Sequence, residues 1–420
     1  MTADLLTAEG RDRLATRAVR HPVRFLLVVY IISRVVVLLA MLVAGHWFQN
    51  PAGVGHLRPN GGDLFSVWDV TWYEDIAENG YPVPLPTDAQ SGKLTYSAWA
   101  FYPTFPLLAR GLMLLGLPFQ VAGTLINLLL GGVATILVWQ CLRFGLHAEP
   151  QPARERLALV ATSLWTIYPA TAVMLIPYTE ALAVALVAGA LLLLMRRKYA
   201  MVALVALVLG FTRAAAPPLA CAAFVHLWLR GREDRATGTR LLAGQRLSAL
   251  AMLLACSVSA VAWPVTVGWV SGLPRAFFDI QASWGQRPDK GPFVLWLSWA
   301  WEAHGAAGVA VMLALVGSYL ALVLGRHGRW IPAEVRVWAL VYPLYLLAVV
   351  RPITSMWRFL LLDFPIAALL ASVAMRTSNG HGVVRHWRRR VALVLVPVLA
   401  GLMWWTAALL TSTPWGSTPP

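Results

Sequence analysis

Residues 23–44 read Val-Arg-Phe-Leu-Leu-Val-Val-Tyr-Ile-Ile-Ser-Arg-Val-Val-Val-Leu-Leu-Ala-Met-Leu-Val-Ala. A helix needs about 20 mostly apolar residues to cross a hydrocarbon core of about 30 Å, and this run supplies them. It is too long for a signal-peptide core and lacks a cleavage site, so it predicts a retained span. Comparable runs recur at 121–142, 157–176, 180–195, 199–213, 215–229, 247–270, 305–325, 335–350, 358–375 and 391–410, separated by basic clusters. The chain is 59% hydrophobic and 13% charged, with mean hydropathy +0.65. A water-soluble domain carries about a quarter of its residues as charges. The expectation is one integral membrane domain over 1–420, an all-α polytopic bundle of about 11 transmembrane helices.

Charge placement sets the orientation. The net charge of +15 comes from 34 Lys and Arg against 19 Asp and Glu, and the basic residues sit between apolar runs, not along one soluble face. That pattern speaks for membrane topology and against nucleic acid. Residues 100–117 are apolar but carry Pro103, Pro106 and Arg110. If they do not cross and the amino end (1–22) is cytoplasmic, 24 of the 34 basic residues fall on the cytoplasmic side, counting Arg24 and Arg336 at span edges, as the positive-inside bias requires. Residues 100–117 are therefore expected to be re-entrant or interfacial, and 45–117 to form a long, partly helical first outer loop. Clusters such as Arg388-Arg389-Arg390 are expected to meet anionic lipid headgroups. The segment from Thr411 to Pro420 is expected to be a disordered tail.

That outer loop collects six of the 19 carboxylates: Asp63, Asp69, Glu74, Asp75, Glu78 and Asp88. Within it, Trp68-Asp69-Val70-Thr71-Trp72-Tyr73-Glu74-Asp75-Ile76-Ala77-Glu78-Asn79-Gly80-Tyr81-Pro82 predicts a short amphipathic surface helix ending at Gly80. Asp69, Tyr73, Ile76 and Gly80 share one face, with Trp68, Trp72 and Asp75 beside it. Asp69 falls in the first turn, where free N–H groups favour a carboxylate; it is either a plain cap or a reactive group.

These residues carry a resemblance. Trp68-Asp69-x-x-Trp72-Tyr73-x-x-Ile76-Ala77-x-x-Gly80-Tyr81 resembles the first-loop signature of the phosphatidylinositol-glycan class V mannosyltransferases, members of the glycosyltransferase C superfamily. Phe101-Tyr102-Pro103-Thr104-Phe105-Pro106, Pro169-Ala170-Thr171 with Tyr178-Thr179-Glu180, Thr212-Arg213, and Arg358-Phe359 before Phe364-Pro365 are similar to further motifs in the same order. The family's usual Asn-Gly after Thr-Arg is here Ala214-Ala215. The resemblance implies a glycosyltransferase C-like bundle that moves mannose, with inversion, from a polyprenyl-phosphate-mannose donor to a lipid or glycan acceptor at the non-cytoplasmic face. Asp69 would be the base, and Arg213, Arg351 and Arg358 would be candidates for the donor phosphate.

The remaining candidates stay two-sided on sequence alone. Glu180 is either a solvated turn residue or part of the site. Gln281 and Trp284 offer sugar contacts, although Trp284 serves equally in an interfacial belt. Arg34, inside the first run, is either paired structurally or functional. Two of Asp69, Glu74 and Asp75 could share a cation, but nothing resembles a metal box, so neither metal nor cofactor is expected. Cys141, Cys221 and Cys256 lack paired spacing and predict inert packing. A transporter of a lipid-linked substrate is the alternative function, though transporters place charges near the midplane and show repeated halves.

Overall fold

The computed structural model describes residues 18–48, 63–144, 151–238, 243–376 and 383–411. The amino end up to residue 17, expected on the cytoplasmic side, loop residues 49–62 and the expected tail from residue 412 lie outside the described residues. Regular structure among the described residues is helical, with two isolated bridges, Thr87 to Leu94 and Arg376 to Val383. The chain runs through α1 (Pro22–Phe48), α2 (Val70–Asn79), α3 (Thr104–Met113), α4 (Phe119–Phe144), α5 (Gln151–Thr166), α6 (Glu180–Met195), α7 (Tyr199–Gly210) and α8 (Ala216–Thr237). It continues through α9 (Ala243–Ser271), α10 (Ala276–Ser283), α11 (Val294–Leu324), α12 (Ala333–Val349), α13 (Met356–Phe359), α14 (Pro365–Met375) and α15 (Trp387–Trp405).

Helix covers all or most of each of the eleven apolar segments, though single helices of full crossing length are fewer. Among the described residues, five stretches are long and apolar enough to cross by themselves: Pro22–Trp47, Phe119–Phe144, Gly244–Ser271, Val294–Leu324 and Trp387–Leu410. Met356–Leu362 with Pro365–Met375 makes a sixth if that pair, bent by 79°, is one broken span. At a rise of 1.5 Å per residue, α6 and α7 reach about 24 and 18 Å, short of the roughly 30 Å core. α6 is apolar all round because it is enclosed by neighbours, including α4 and α7, with nearly every residue buried.

Two boundaries also move for local reasons. The expected span 157–176 breaks at Thr166: Tyr168 is extended (φ −54°, ψ 142°), as a residue before proline prefers, and Pro169–Met174 form a 3-10 turn. In α11 the helix breaks at His304 and Gly305, where Gly305 takes φ 58°, so 305–324 is a separate helix. Residues 100–117 contain only the ten-residue α3, about 15 Å long, which is too short to cross.

The packing converges on the turn between α5 and α6. Arg34 of α1 is 3% exposed and donates to the Thr171 carbonyl through Nη1. Its Nη2 donates to the Thr166 carbonyl and Thr171 Oγ1, each at 3.1 Å. These acceptors include carbonyls at a helix end, which attract a cation without a carboxylate. Arg34 is therefore a structural clamp. From the other side, Asn127 of α4 donates to the Tyr178 carbonyl at 2.8 Å and to that of Ile176. Pro177 lies so close to Gly123 that a Cβ there would sit 2.5 Å from the proline ring, so α4 has no room for a side chain at that point.

Candidate active site

The turn held this way presents Tyr178, Thr179 and Glu180. Glu180 opens α6, where the free N–H groups of the first turn stabilise a carboxylate, and it is fully buried. Its Oε1 receives Arg213 Nη1 at 2.8 Å and lies 3.4 Å from Arg358 Nε. Arg213 stands just past α7 and also donates to Thr179 Oγ1 at 3.0 Å. Arg358, on the short α13, places Nη1 2.5 Å from Asp69 Oδ2. Both guanidiniums lie over the Phe359 ring, at 4.8 and 5.4 Å, and Arg358 also lies over Tyr178 at 4.9 Å. Two carboxylates and two arginines from four distant stretches thus form one buried, charge-balanced quartet.

The α2 helix supplies Asp69 much as its periodicity predicts. It spans Val70–Asn79, and Gly80, at φ 80°, closes it by donating to the Ile76 carbonyl at 3.0 Å. Asp69 stands at the N-cap, but its side chain makes no capping bond. Its backbone N–H donates to Tyr178 Oη at 3.2 Å, so the helix start is tied to the quartet through the main chain. Trp68, at φ 58°, turns the chain into the helix and donates Nε1 to the Leu410 carbonyl at 3.0 Å. Trp68 is thus an anchor to the end of the last helix.

Tyr73 is buried beneath Asp69 and meets Thr179 Oγ1 at 3.4 Å. Burial pushes its hydroxyl well above the usual range, Asp69 and Glu180 add to that, and Arg213 and Arg358 oppose it. It stays protonated and serves as a hydrogen-bonding wall. Asp75 is exposed and accepts from Asn79 Nδ2 at 2.9 Å, outside the quartet. Glu74 accepts from Gln120 Nε2 at 2.7 Å. No group of three or more His, Cys, Asp or Glu among the described residues is arranged to hold a metal.

Trp72, Gln281, Trp284 and Arg351 gather beside the quartet. Trp72 stacks on Phe101 at 5.7 Å, and Trp284 meets both edge-on at 5.8 Å. Phe101 in turn abuts Tyr73 at 5.3 Å, which joins this aromatic shelf to the charged cluster. Gln281 Nε2 donates to the Ala100 carbonyl at 3.2 Å. Arg351 makes its contacts with the Gly285 turn: its N–H donates to Gln286 Oε1 at 2.9 Å, and its guanidinium fills the space a Cβ of Gly285 would need. Sequence reasoning left out Thr179, Tyr178 and Phe359 as site members. Each lies within two residues of one it did select, and only a folded contact distinguishes a neighbour from a participant.

Multiple long apolar helices around a buried charge cluster define a multi-pass helical membrane protein. Among solved structures the chain is similar to an oligosaccharyltransferase of Archaeoglobus fulgidus in complex with zinc and sulfate, at 14% identity and TM-score 0.42, over 93% of this chain and 54% of that one. It is also similar to the oligosaccharyltransferase AglB of that archaeon in complex with an inhibitory peptide and a dolichol-phosphate, at 14% identity and TM-score 0.47, over 94% and 56%. The chain spans about half the length of each. No protein-family model matches the sequence, and neither does any curated protein.

Proposed function

We propose that the protein is a membrane-embedded inverting glycosyltransferase of the glycosyltransferase C type. It moves mannose from a polyprenyl-phosphate-mannose donor to an acceptor hydroxyl at the non-cytoplasmic face. The observation that carries this reading is the convergence of Asp69, Glu180, Arg213 and Arg358. Each comes from a separate stretch that resembles the mannosyltransferase family. Asp69 is the carboxylate of the four best able to meet substrate, since it keeps 17% of its side-chain surface exposed against 0% for Glu180. It takes the proton of the attacking hydroxyl. A lipid phosphate departs without a proton donor, so a second, acidic carboxyl is not required. Arg358 and Arg213 supply positive charge where the departing phosphate develops its own. The shelf of Trp72, Phe101 and Trp284 offers apolar ring surface to a sugar.

The test is transfer by the purified, detergent-solubilised protein from radiolabelled polyprenyl-phosphate mannose into a membrane lipid and glycan extract. Label is expected in an acceptor fraction, in a linkage of opposite anomeric configuration to the donor. A protein that moves the intact donor between leaflets without cleaving it is instead the transporter of the alternative reading.

Sidedness has its own check. Ser91 lies in the loop ahead of α3, with the N–H and hydroxyl both bonded to Asp88 Oδ1 at 2.7 Å on an exposed turn. In a variant stripped of its native cysteines, Ser91→Cys is expected to react with an impermeant thiol reagent on intact spheroplasts. Labelling only after the membrane is opened would place the loop on the cytoplasmic side and overturn the orientation.

A further inference from the structure

Under the proposed function, Asp69 must accept a proton and Arg358 must meet the donor phosphate. In the structure each is the other's partner, at 2.5 Å, with side chains 17% and 7% exposed. A carboxylate oxygen held by a guanidinium offers fewer lone pairs to an incoming hydroxyl, and an occupied guanidinium offers fewer donors to a phosphate. The two tasks therefore exclude this contact.

The second carboxylate is placed differently. Glu180 is fully buried, begins a helix, and is shared by Arg213 at 2.8 Å and Arg358 Nε at 3.4 Å. The longer contact is close enough for charge attraction but too poorly aligned for a hydrogen bond. Glu180 holds the base of the Arg358 fork, while Asp69 occupies one tip from the more open side. Of the two partners, only Asp69 is in a position to be exchanged.

We infer that Arg358 is a donor-operated latch, passing from Asp69 to the donor phosphate and so releasing the base only when the donor is in place. The latch rests on the polyprenyl-phosphate reading above. Before the donor arrives, two positive and two negative charges balance. An arriving phosphodiester competes with Asp69 for Arg358 Nη1, and Glu180 keeps the guanidinium within reach of both. With Asp69 released, the acceptor oxygen bonds to the anomeric carbon as the bond from that carbon to the phosphate oxygen breaks. The phosphate keeps the electron pair and leaves as polyprenyl phosphate, and the hydroxyl proton passes to Asp69. The donor consequently binds before the acceptor is deprotonated.

Removal of Asp69 should then improve donor binding, since it removes the competitor. If Arg358 rests on Asp69 about nine-tenths of the time, Asp69→Asn binds the donor about tenfold tighter than wild type, while turnover falls. Binding is measured by calorimetric titration of the detergent-solubilised full chain with unglycosylated polyprenyl phosphate. Asp69→Ser repeats the measurement should the asparagine variant fail to fold. A general effect of lost negative charge is separated by Glu180→Gln, which removes the other carboxylate of the quartet yet is expected to weaken binding, because the arginines lose their anchor. In an Arg358→Ala background, Asp69→Asn is expected to add nothing. Unchanged affinity in Asp69→Asn with turnover lost overturns the latch and leaves the base assignment standing. Tightening by Glu180→Gln equal to that of Asp69→Asn likewise overturns it. Absence of saturable binding to wild type overturns the donor reading, and the latch with it.

Discussion

Asp69→Asn is expected to lower kcat for transfer by about a hundred- to ten-thousand-fold, the usual scale for loss of a positioned general base. The substitution keeps the size of the side chain and removes its basic lone pairs. Because the Asp69 side chain makes no capping bond, helix α2 loses nothing from the change, and the backbone bond to Tyr178 remains. The variant should therefore insert and keep α2, with a thermal transition lowered only by the loss of the ion pair to Arg358. Two neighbours separate chemistry from simple loop charge. Asp75→Asn alters an exposed residue on the far side of the helix, and Glu74→Gln alters a partner of Gln120. Both should retain transfer within a few-fold. Initial rates with saturating donor decide the matter: a folded Asp69→Asn protein working at the parental rate removes Asp69 from the mechanism.

Much of this site was legible because charged residues are rare in so apolar a chain, and each one inside or beside a span asks for a partner. Glu180, Arg213 and Arg358 stand out for that reason, and Asp69 stands out through its place on an amphipathic turn. Helical periodicity put Tyr73 and Ile76 on one face, and both are buried. Asp75 is six residues on from Asp69, about 240° round the helix, which takes it away from the quartet. What composition could not resolve was which arginine meets which acid. Arg213, Arg351 and Arg358 all end apolar runs, and only the bend at α13 and the Gly285 turn separate their destinations. Which apolar helices are long enough to cross alone was hidden for a related reason. A short helix buried on every side, such as α6, has the same uniform hydropathy as a helix that faces lipid.

The quartet also has a stability consequence, and it is large because Glu180 has no route to water. Arg213→Gln removes the partner that sits 2.8 Å from a fully buried carboxylate. Arg358 remains, but its Nε is 3.4 Å away and poorly aligned, so it compensates only in part. Breaking one side of a buried ion pair typically costs about 3–5 kcal/mol, because a charge stays behind without compensation. The shared arginine places the expected loss toward the lower end of that range. It should appear as an earlier thermal transition of the detergent-solubilised protein, well before any substrate is added. Glu180→Gln in the same molecule removes the stranded charge and should restore part of the loss. The two changes are then non-additive, with a coupling of about 0.5–3 kcal/mol for residues in direct contact. Strictly additive losses would mean that Glu180 and Arg213 do not support one another, and that the quartet is held together by Asp69 and Arg358 alone. Lost transfer activity in the refolded double variant would separate the two roles, since neutral amides can fill the space but cannot stabilise a departing phosphate.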